Sequence, residues 1–139
     1  MKFFFDVCFS PRLCAATKCI DGHKYHFDHH LDHFAMDTTD VVWLQAVGSW
    51  QVRPIVISGD TRILTRRDEM RTLMEQELMF VCLYSGFTDH EISESTWKFF
   101  RAWPLICYEV SRAKQPSVFK VAPSAQKVEL FSTTRGLCK

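Results

Sequence analysis

The sequence lacks any long hydrophobic run, internal repeat or low-complexity segment in its 139 residues. No stretch approaches the ~20 apolar residues that a membrane-spanning helix requires, so we expect no membrane partner. We also expect no secretory signal peptide, because only three apolar residues separate Lys2 from Asp6. The length and the absence of a linker predict one domain over residues 1–139.

Paired cysteines are also missing, because the six cysteines form no Cys-x-x-Cys motif. We therefore expect a cytoplasmic protein whose cysteines are reduced and mostly buried in the core. Cys8 lies near Asp6 and is a candidate nucleophile. The sequence places no particular histidine to activate it, so a core thiol is the favoured interpretation.

The residues that are present indicate a folded chain with an uneven distribution of charge. Hydrophobic residues make up 47% of the sequence and include twelve phenylalanines, enough for a full core, which excludes extensive disorder. The net charge is only +1, yet from Thr96 onward eight Lys and Arg residues stand against Glu109 and Glu129 alone. This basic third of the chain could bind phosphates or an acidic partner, or it could form a solvated surface.

Hydrophobic periodicity and turn residues predict alternating strands and helices. Ser10-Pro11 should begin the first helix, since serine caps free amides and proline suits the first turn. Residues 88–91 resemble a capping box before the last helix, which Pro104 should kink or split. Strands are predicted at residues 2–6, 23–27, 53–58, 79–83, 117–121 and 127–131, and helices at residues 10–21, 40–48, 65–78 and 88–112.

This order of elements predicts an α/β fold. Strands that alternate with helices form a parallel sheet with right-handed crossovers. The last two predicted strands have no helix between them and should form a C-terminal hairpin that turns at Pro123-Ser124.

Three aspartates stand where such a fold gathers its functional groups. Asp6 ends the first predicted strand, Asp60 ends the third, and Asp40 follows two threonines at the start of the second helix. These strand ends and helix starts share one edge of the sheet, where ligands bind. Carboxylates gathered there would repel one another without a cation, and hard oxygen ligands suit Mg²⁺ or Mn²⁺. The alternatives are a helix cap for Asp6 and a favourable interaction with the helix dipole for Asp40.

Three segments carry a resemblance to PIN-like domains. Residues 4–13 (FFDVCFSPRL) resemble their opening strand, aspartate and Pro-Arg-Leu helix start. Residues 37–44 (DTTDVVWL) resemble a second motif, in which a Thr-Pro-Asp-like cap leads into a helix with Trp-Leu. Residues 55–63 (IVISGDTRI) resemble a third motif, a strand followed by Thr-x-Asp and a basic residue. The order of the motifs is similar to that of PIN-like toxin ribonucleases from toxin–antitoxin systems.

The resemblance implies a three-layer α/β/α sandwich and a metal-dependent endoribonuclease. Asp6, Asp40 and Asp60 would be its catalytic residues and would bind Mg²⁺ or Mn²⁺, which activates water and stabilises charge on the phosphate. The implied partners are an RNA substrate and a small antitoxin that inserts a segment into the acidic groove. A homodimer is left open.

The chain also departs from the family pattern. Relatives commonly have Asp-Glu-Asn or Asp-Arg-Asn after the first strand, whereas Val7-Cys8 follow Asp6 here. Relatives also often carry extra acidic residues after the aspartate of the second motif, whereas Val41-Val42 follow Asp40 here. The reduced acid set favours an alternative function, a PIN-like module that binds protein or RNA without catalysis. A receiver-like phosphoacceptor fits less well, because the acidic pair of that fold is missing at Asp6 and Lys120 lies inside its strand.

Arginines accompany the first and third motifs. Arg12, Arg62 and Arg66 are candidates for binding RNA phosphates, because the guanidinium group matches phosphate geometry. The alternative is a solvated helix start, in which Asp68 and Glu69 balance the positive charge.

Two further clusters have both a functional and a structural explanation. Zinc binding and a hydrated loop are the alternatives for the histidine cluster, and its spacing favours the loop; its members are His26, His29, His30 and His33. Base stacking and a core or partner surface are the alternatives for the aromatic cluster, and the second is favoured; its members are Trp97, Phe99, Phe100 and Trp103.

Overall fold

The computed structural model describes residues 1–84, 87, 91–122, 124 and 126–133. These residues contain four α-helices, six strands and two short 3₁₀ helices at His30–Asp32 and Thr61–Leu64. The α-helices are α1 (Pro11–Asp21), α2 (Asp40–Gly48), α3 (Arg67–Glu75) and α4 (Ile92–Arg112). The strands are β1 (Lys2–Phe5), β2 (His26–His29), β3 (Ile55–Ser58), β4 (Met79–Leu83), β5 (Ser117–Val121) and β6 (Val128–Thr133).

The six strands form one sheet in the order β2-β1-β3-β4-β5-β6. Strands β1 to β5 run parallel to their neighbours, and only β6 pairs antiparallel with β5. The predicted mainly parallel sheet and C-terminal hairpin are therefore confirmed. The predicted turn includes Pro123, which lies outside the described residues.

The sheet separates two hydrophobic cores, because side chains alternate between its faces. In β1, Phe3 and Phe5 pack into the core beneath α1 and α4, while Phe4 packs into the core beneath α2 and α3. All three phenylalanines are fully buried. The α/β/α sandwich is confirmed, and its central strands are apolar on both faces, as parallel strands typically are.

The second strand and the segment after it differ from the prediction. β2 begins at His26, which pairs in register with Lys2, and it extends to His29. The predicted polar loop is wrong at residues 28–32, because Asp32 accepts a hydrogen bond from the His29 amide (2.8 Å) and closes a 3₁₀ turn. That turn buries His29 and His30, although its polar sequence predicted exposure.

The last helix is continuous through Pro104, so the predicted split does not occur. Proline removes one backbone hydrogen bond, but α4 buries Phe99 and Trp103 against the sheet, and this packing offsets the loss. Trp97 of the same aromatic cluster is exposed. The predicted capping box includes residues 88–90, which lie outside the described residues. In the described part of the chain, no helix is long and apolar enough to cross a membrane.

Candidate active site

The three predicted aspartates belong to one edge of the sheet. Asp6 directly follows β1, Asp60 lies two residues after the end of β3, and Asp40 is the first residue of α2. The backbone amide of Asp6 donates to the Ile57 carbonyl at 2.9 Å, which ties the end of β1 to β3. This is the edge on which α/β proteins bind ligands.

Asp6 is a buried carboxylate that keeps only a few polar contacts. Its side chain accepts hydrogen bonds from the Val7 amide (2.6 Å) and from the Ser58 hydroxyl (2.7 Å). Burial raises the pKa of Asp6 above its ordinary value, and the nearby negative charge of Asp40 raises it further, although the Ser58 and Val7 hydrogen bonds oppose the change. The ionised form of Asp6 therefore needs additional positive charge nearby.

Ser58 joins two of the aspartates and was missed by the sequence analysis. Its hydroxyl donates to Asp6 Oδ2 and accepts a hydrogen bond from the Asp60 amide at 3.1 Å. A hydroxyl residue two positions before an aspartate at a strand end was the available signal. It matches the threonine of the family's Thr-x-Asp motif.

Asp60 forms an ion pair with Arg62. The Arg62 guanidinium donates from Nε to Asp60 Oδ1 at 3.0 Å and from Nη2 to Oδ2 at 3.3 Å. Asp60 Oδ1 also accepts from the Arg62 amide and caps the 3₁₀ helix that follows. Arg62 remains largely exposed, so its guanidinium is accessible to solvent.

Asp40 stands at the amino terminus of α2 and is held by a tryptophan. The Trp43 indole nitrogen donates to Asp40 Oδ1 at 2.9 Å, and Trp43 itself is fully buried. The negative charge of Asp40 contributes to raising the pKa values of both Asp6 and Arg62. The predicted helix start is confirmed, while the Thr39 side chain makes no capping hydrogen bond.

His30 is a second buried polar residue beside Asp6. Its Nε2 lies 2.9 Å from the Ala35 carbonyl, and its Nδ1 lies 3.9 Å from Asp6 Oδ1. Among the buried side-chain atoms of the described residues, His30 Nδ1 alone has no hydrogen-bond partner. Its ring contacts the aromatic rings of Phe4, Phe34 and Trp43.

The other predicted phosphate-binding arginines lie at helix starts. Arg12 is exposed in the first turn of α1, where its amide donates to the Ser10 hydroxyl at 3.1 Å, and this confirms the predicted serine cap. Arg66 precedes α3 and pairs with Glu69 at 3.6 Å. The Arg66 side chain is partly exposed, so this ion pair is compatible both with phosphate binding and with the acid-balanced helix start.

The Cys8 thiol is held against the site. Its Sγ accepts a hydrogen bond from the Gly59 amide (3.0 Å) and lies 3.8 Å from Asp6 Oδ2. Burial of the sulfur and repulsion from Asp6 raise the pKa of Cys8 to about 12. A thiol that remains protonated is a poor nucleophile, so the pKa argues against a nucleophilic Cys8. The predicted core placement is wrong, however, because Cys8 is an exposed residue at the edge of the site.

Slow alkylation of Cys8 is the expected consequence. A rise in pKa from 9.0 to about 12 leaves roughly a thousandfold less thiolate at neutral pH. The rate should therefore increase about tenfold per pH unit up to the raised pKa. Peptide-resolved mass spectrometry with iodoacetamide measures this rate, and Cys19, which like Cys8 is an exposed residue, provides the internal comparison. Equal rates at the two cysteines would contradict the described environment of Cys8.

The donor chemistry of the site fits a hard divalent cation, although the ligands are not all gathered. Asp6, Asp40 and Asp60 supply carboxylate oxygens, the ligands that Mg²⁺ and Mn²⁺ prefer. Asp60 is held by Arg62, and within the described residues no three His, Cys, Asp or Glu side chains are grouped to bind a metal ion. The carboxylates and Arg62 leave an excess of negative charge that a divalent cation would neutralise.

A family match includes the residues of this site. A family model described as a PIN-like domain matches residues 1–85, more than half of the chain, and the matched region includes all three aspartates. No curated protein and no solved structure matches the chain. By the extent of the family match, this chain belongs to the PIN-like domain family.

Proposed function

We propose that this protein is a metal-dependent endoribonuclease, the toxin of a toxin–antitoxin pair, which hydrolyses RNA phosphodiester bonds with Mg²⁺ or Mn²⁺. One observation carries the proposal: the buried carboxylate of Asp6 interacts electrostatically with Asp40 and is linked through Ser58 to Asp60 at the ligand-binding edge. Membership in the PIN-like family, whose domains generally depend on divalent metal ions, supports it.

The three aspartates would hold the cation in this proposal. A bound cation would lower the pKa of water and stabilise negative charge on the phosphate oxygens. Asp6 is already positioned by Ser58 and the Val7 amide, and Asp40 by the Trp43 indole. Their rotamers are thus fixed before the substrate arrives, which reduces the cost of organising the site.

The Arg62 guanidinium could exchange the Asp60 carboxylate for an RNA phosphate. Its guanidinium is exposed and holds Asp60 in the absence of RNA. An RNA phosphate that binds the same guanidinium bidentately would free the Asp60 carboxylate from the ion pair, while the hydrogen bond from the Arg62 amide would remain. Substrate binding and completion of the acidic cluster would then be one coupled event.

The surface around Arg62 offers a path for RNA. Arg62, Tyr84 and Phe131 line an open cavity of about 280 Å³. An aromatic side chain next to an arginine is the combination with which proteins bind single-stranded bases and their phosphates. Arg66 at the start of α3 and Arg12 at the start of α1 would bind neighbouring phosphates.

Cleavage of single-stranded RNA is the direct test. Purified protein, free of any antitoxin, is incubated with several RNA substrates in Mg²⁺, in Mn²⁺ and in excess chelator. We expect endonucleolytic products with either metal and none with chelator, because the water nucleophile needs the cation. Intact RNA under all conditions, with metal binding established separately, would reject the enzyme.

The same surface favours a second candidate, a PIN-like module that binds RNA or protein without catalysis. The Asp60–Arg62 ion pair and the valines after Asp40 are the observations that favour it. This module would bind RNA with an affinity that is independent of divalent metal and falls with salt. Binding without cleavage would select this candidate.

The remaining parts of the proposal concern partners and location. We propose a single PIN-like domain over residues 1–139, located in the cytoplasm. A small antitoxin would insert a segment into the acidic groove formed by Asp6, Asp40 and Asp60. Sedimentation of the purified chain alone would establish whether it is a homodimer. Sedimentation with a basic peptide would test whether the acidic groove binds a segment of a partner.

A further inference from the structure

We propose that His30 is a nitrogen ligand of the divalent cation at Asp6, and that the site therefore binds Mn²⁺ in preference to Mg²⁺. The inference rests on the proposed function in that it concerns the same cation site. It names one ligand beyond the three aspartates and selects between the two metals.

The hydrogen bonding of His30 determines which ring nitrogen is able to bind a metal. The Ala35 carbonyl oxygen only accepts hydrogen bonds, so the Nε2 atom, 2.9 Å away, must carry the hydrogen. In the neutral ring, Nδ1 then presents a lone pair. This is the tautomer of a metal-binding histidine, whose second nitrogen donates to a carbonyl or carboxylate.

The Nδ1 atom of His30 has no hydrogen-bond partner and lies near the carboxylate of Asp6. Buried polar atoms are nearly always hydrogen-bonded, so an exception in the described core requires an explanation. The separation of 3.9 Å from Nδ1 to Asp6 Oδ1 is too long for a direct hydrogen bond. Two ligands that each lie ~2.1 Å from one octahedral ion are ~3.0 Å apart at adjacent positions and ~4.2 Å apart at opposite positions. The separation of 3.9 Å lies between these values, so a shared cation requires only a small movement of the two side chains.

The surroundings of His30 hold its ring in place. Phe4, Phe34 and Trp43 contact the ring at centroid distances of 6.2, 5.4 and 5.8 Å. Trp43 also donates to Asp40, so one buried indole positions both the imidazole and a second carboxylate. The ligands are therefore organised by the core, and their direction does not depend on loop motion.

A ligand set of this composition distinguishes the two metals. Mg²⁺ prefers six oxygen ligands and binds imidazole poorly. Mn²⁺ accepts carboxylate oxygen and also lies in the series of first-row ions that bind nitrogen. Substituting nitrogen for one oxygen therefore raises the affinity for Mn²⁺ relative to Mg²⁺.

Pulsed electron paramagnetic resonance of bound Mn²⁺ tests the contact directly and needs no catalytic activity. Protein labelled with ¹⁵N only in histidine is loaded with one equivalent of Mn²⁺. We expect a ¹⁵N hyperfine coupling to the bound ion, which requires a directly coordinated imidazole. Bound Mn²⁺ without this coupling would overturn the inference and would leave His30 as the partner of Asp6 in an ion pair.

The variant His30→Gln assigns the coupling to this residue. Glutamine can keep the hydrogen bond to the Ala35 carbonyl through its amide NH₂, and it replaces the ring nitrogen with an amide oxygen, which gives no histidine ¹⁵N coupling. We expect Mn²⁺ affinity to fall at least tenfold and Mg²⁺ affinity to change less than twofold. The matched control is His33→Gln, since His33 pairs with Asp28 and is partly exposed. Circular dichroism verifies folding, and the wild-type ¹⁵N measurement stands if His30→Gln does not fold.

Failure of the inference is distinguishable from failure of the proposed function. An unchanged Mn²⁺ affinity in His30→Gln overturns the nitrogen ligand, even where the wild type cleaves RNA. A ¹⁵N coupling that is lost in His30→Gln supports the ligand, even where no RNA is cleaved. Equal affinity of the wild type for Mn²⁺ and Mg²⁺ overturns the stated preference.

Discussion

Replacing Asp6 with asparagine is expected to reduce RNA cleavage by several orders of magnitude. Asparagine keeps the shape of the side chain and its acceptor for the Val7 amide. It removes the negative charge that would hold the cation, and without the cation the attacking water is not activated. Single-turnover cleavage in saturating Mn²⁺ measures the effect on the chemical step.

The same substitution is expected to stabilise the metal-free fold by a few degrees in Tm. The folded protein raises the pKa of Asp6 above 3.8, so the protonated side chain is favoured by folding. The stability that Asp6 contributes is therefore present below its unfolded pKa and is lost as the pH rises through its folded pKa. The Tm difference between Asp6→Asn and wild type, measured in chelator, should grow from acidic to neutral pH.

Asp21→Asn is the matched control for Asp6→Asn. Asp21 ends α1 and accepts a hydrogen bond from the Trp103 indole at 2.8 Å, which asparagine also accepts. It should therefore leave the cleavage rate unchanged. A wild-type cleavage rate in Asp6→Asn would remove Asp6 from the catalytic proposal.

Replacing Phe4 with alanine is expected to lower the free energy of unfolding by about 3–5 kcal/mol. Phe4 is fully buried and contacts the rings of His30, Phe34, Trp43 and Trp50. Its removal leaves a cavity at the centre of the core beneath α2 and α3. Small domains have a total stability of about 5–15 kcal/mol, so this is a large fraction. Equilibrium denaturation in urea measures the change.

Trp97→Ala removes a larger side chain at an exposed position and provides the comparison. Trp97 is 60% exposed on α4, and its ring contacts Arg101. We expect a loss of at most about 1 kcal/mol, the range of an exposed cation–π contact. Equal losses in Phe4→Ala and Trp97→Ala would show that burial does not determine the stability of this core.

The elements that the sequence predicted well are those with strong local signals. The succession Phe3, Phe4 and Phe5 predicts a strand buried on both faces, and Ser10-Pro11 marks a helix start through local capping. The same patterns predicted where the strand-end aspartates lie, because a residue that directly follows a strand must lie at that edge of the sheet. Local patterns therefore predicted the edge of the sheet that carries the candidate site.

The contacts that the sequence did not predict are of two kinds. Some join residues that are distant in sequence, and others depend on a turn whose polar residues indicate an exposed loop. The Ser58–Asp6 hydrogen bond joins residues 52 positions apart, and neither segment alone predicts it. His30 lies among polar residues, which indicate exposure, yet the Asp32 cap closes a turn that buries it. The second strand was misplaced for a related reason, because its pairing with β1 fixes where it begins.

The hydrogen bond between Ser58 and Asp6 has a consequence for the order of folding. The chain between its two ends contains α1, β2 and α2, so this contact closes a long loop. Such non-local contacts form late, since the loss of loop entropy precedes any gain from the contact. A chain emerging from the ribosome therefore has no assembled acidic site until β3 has been synthesised and has paired with β1. The acidic site is therefore a product of tertiary pairing and exists in no single contiguous segment of the chain.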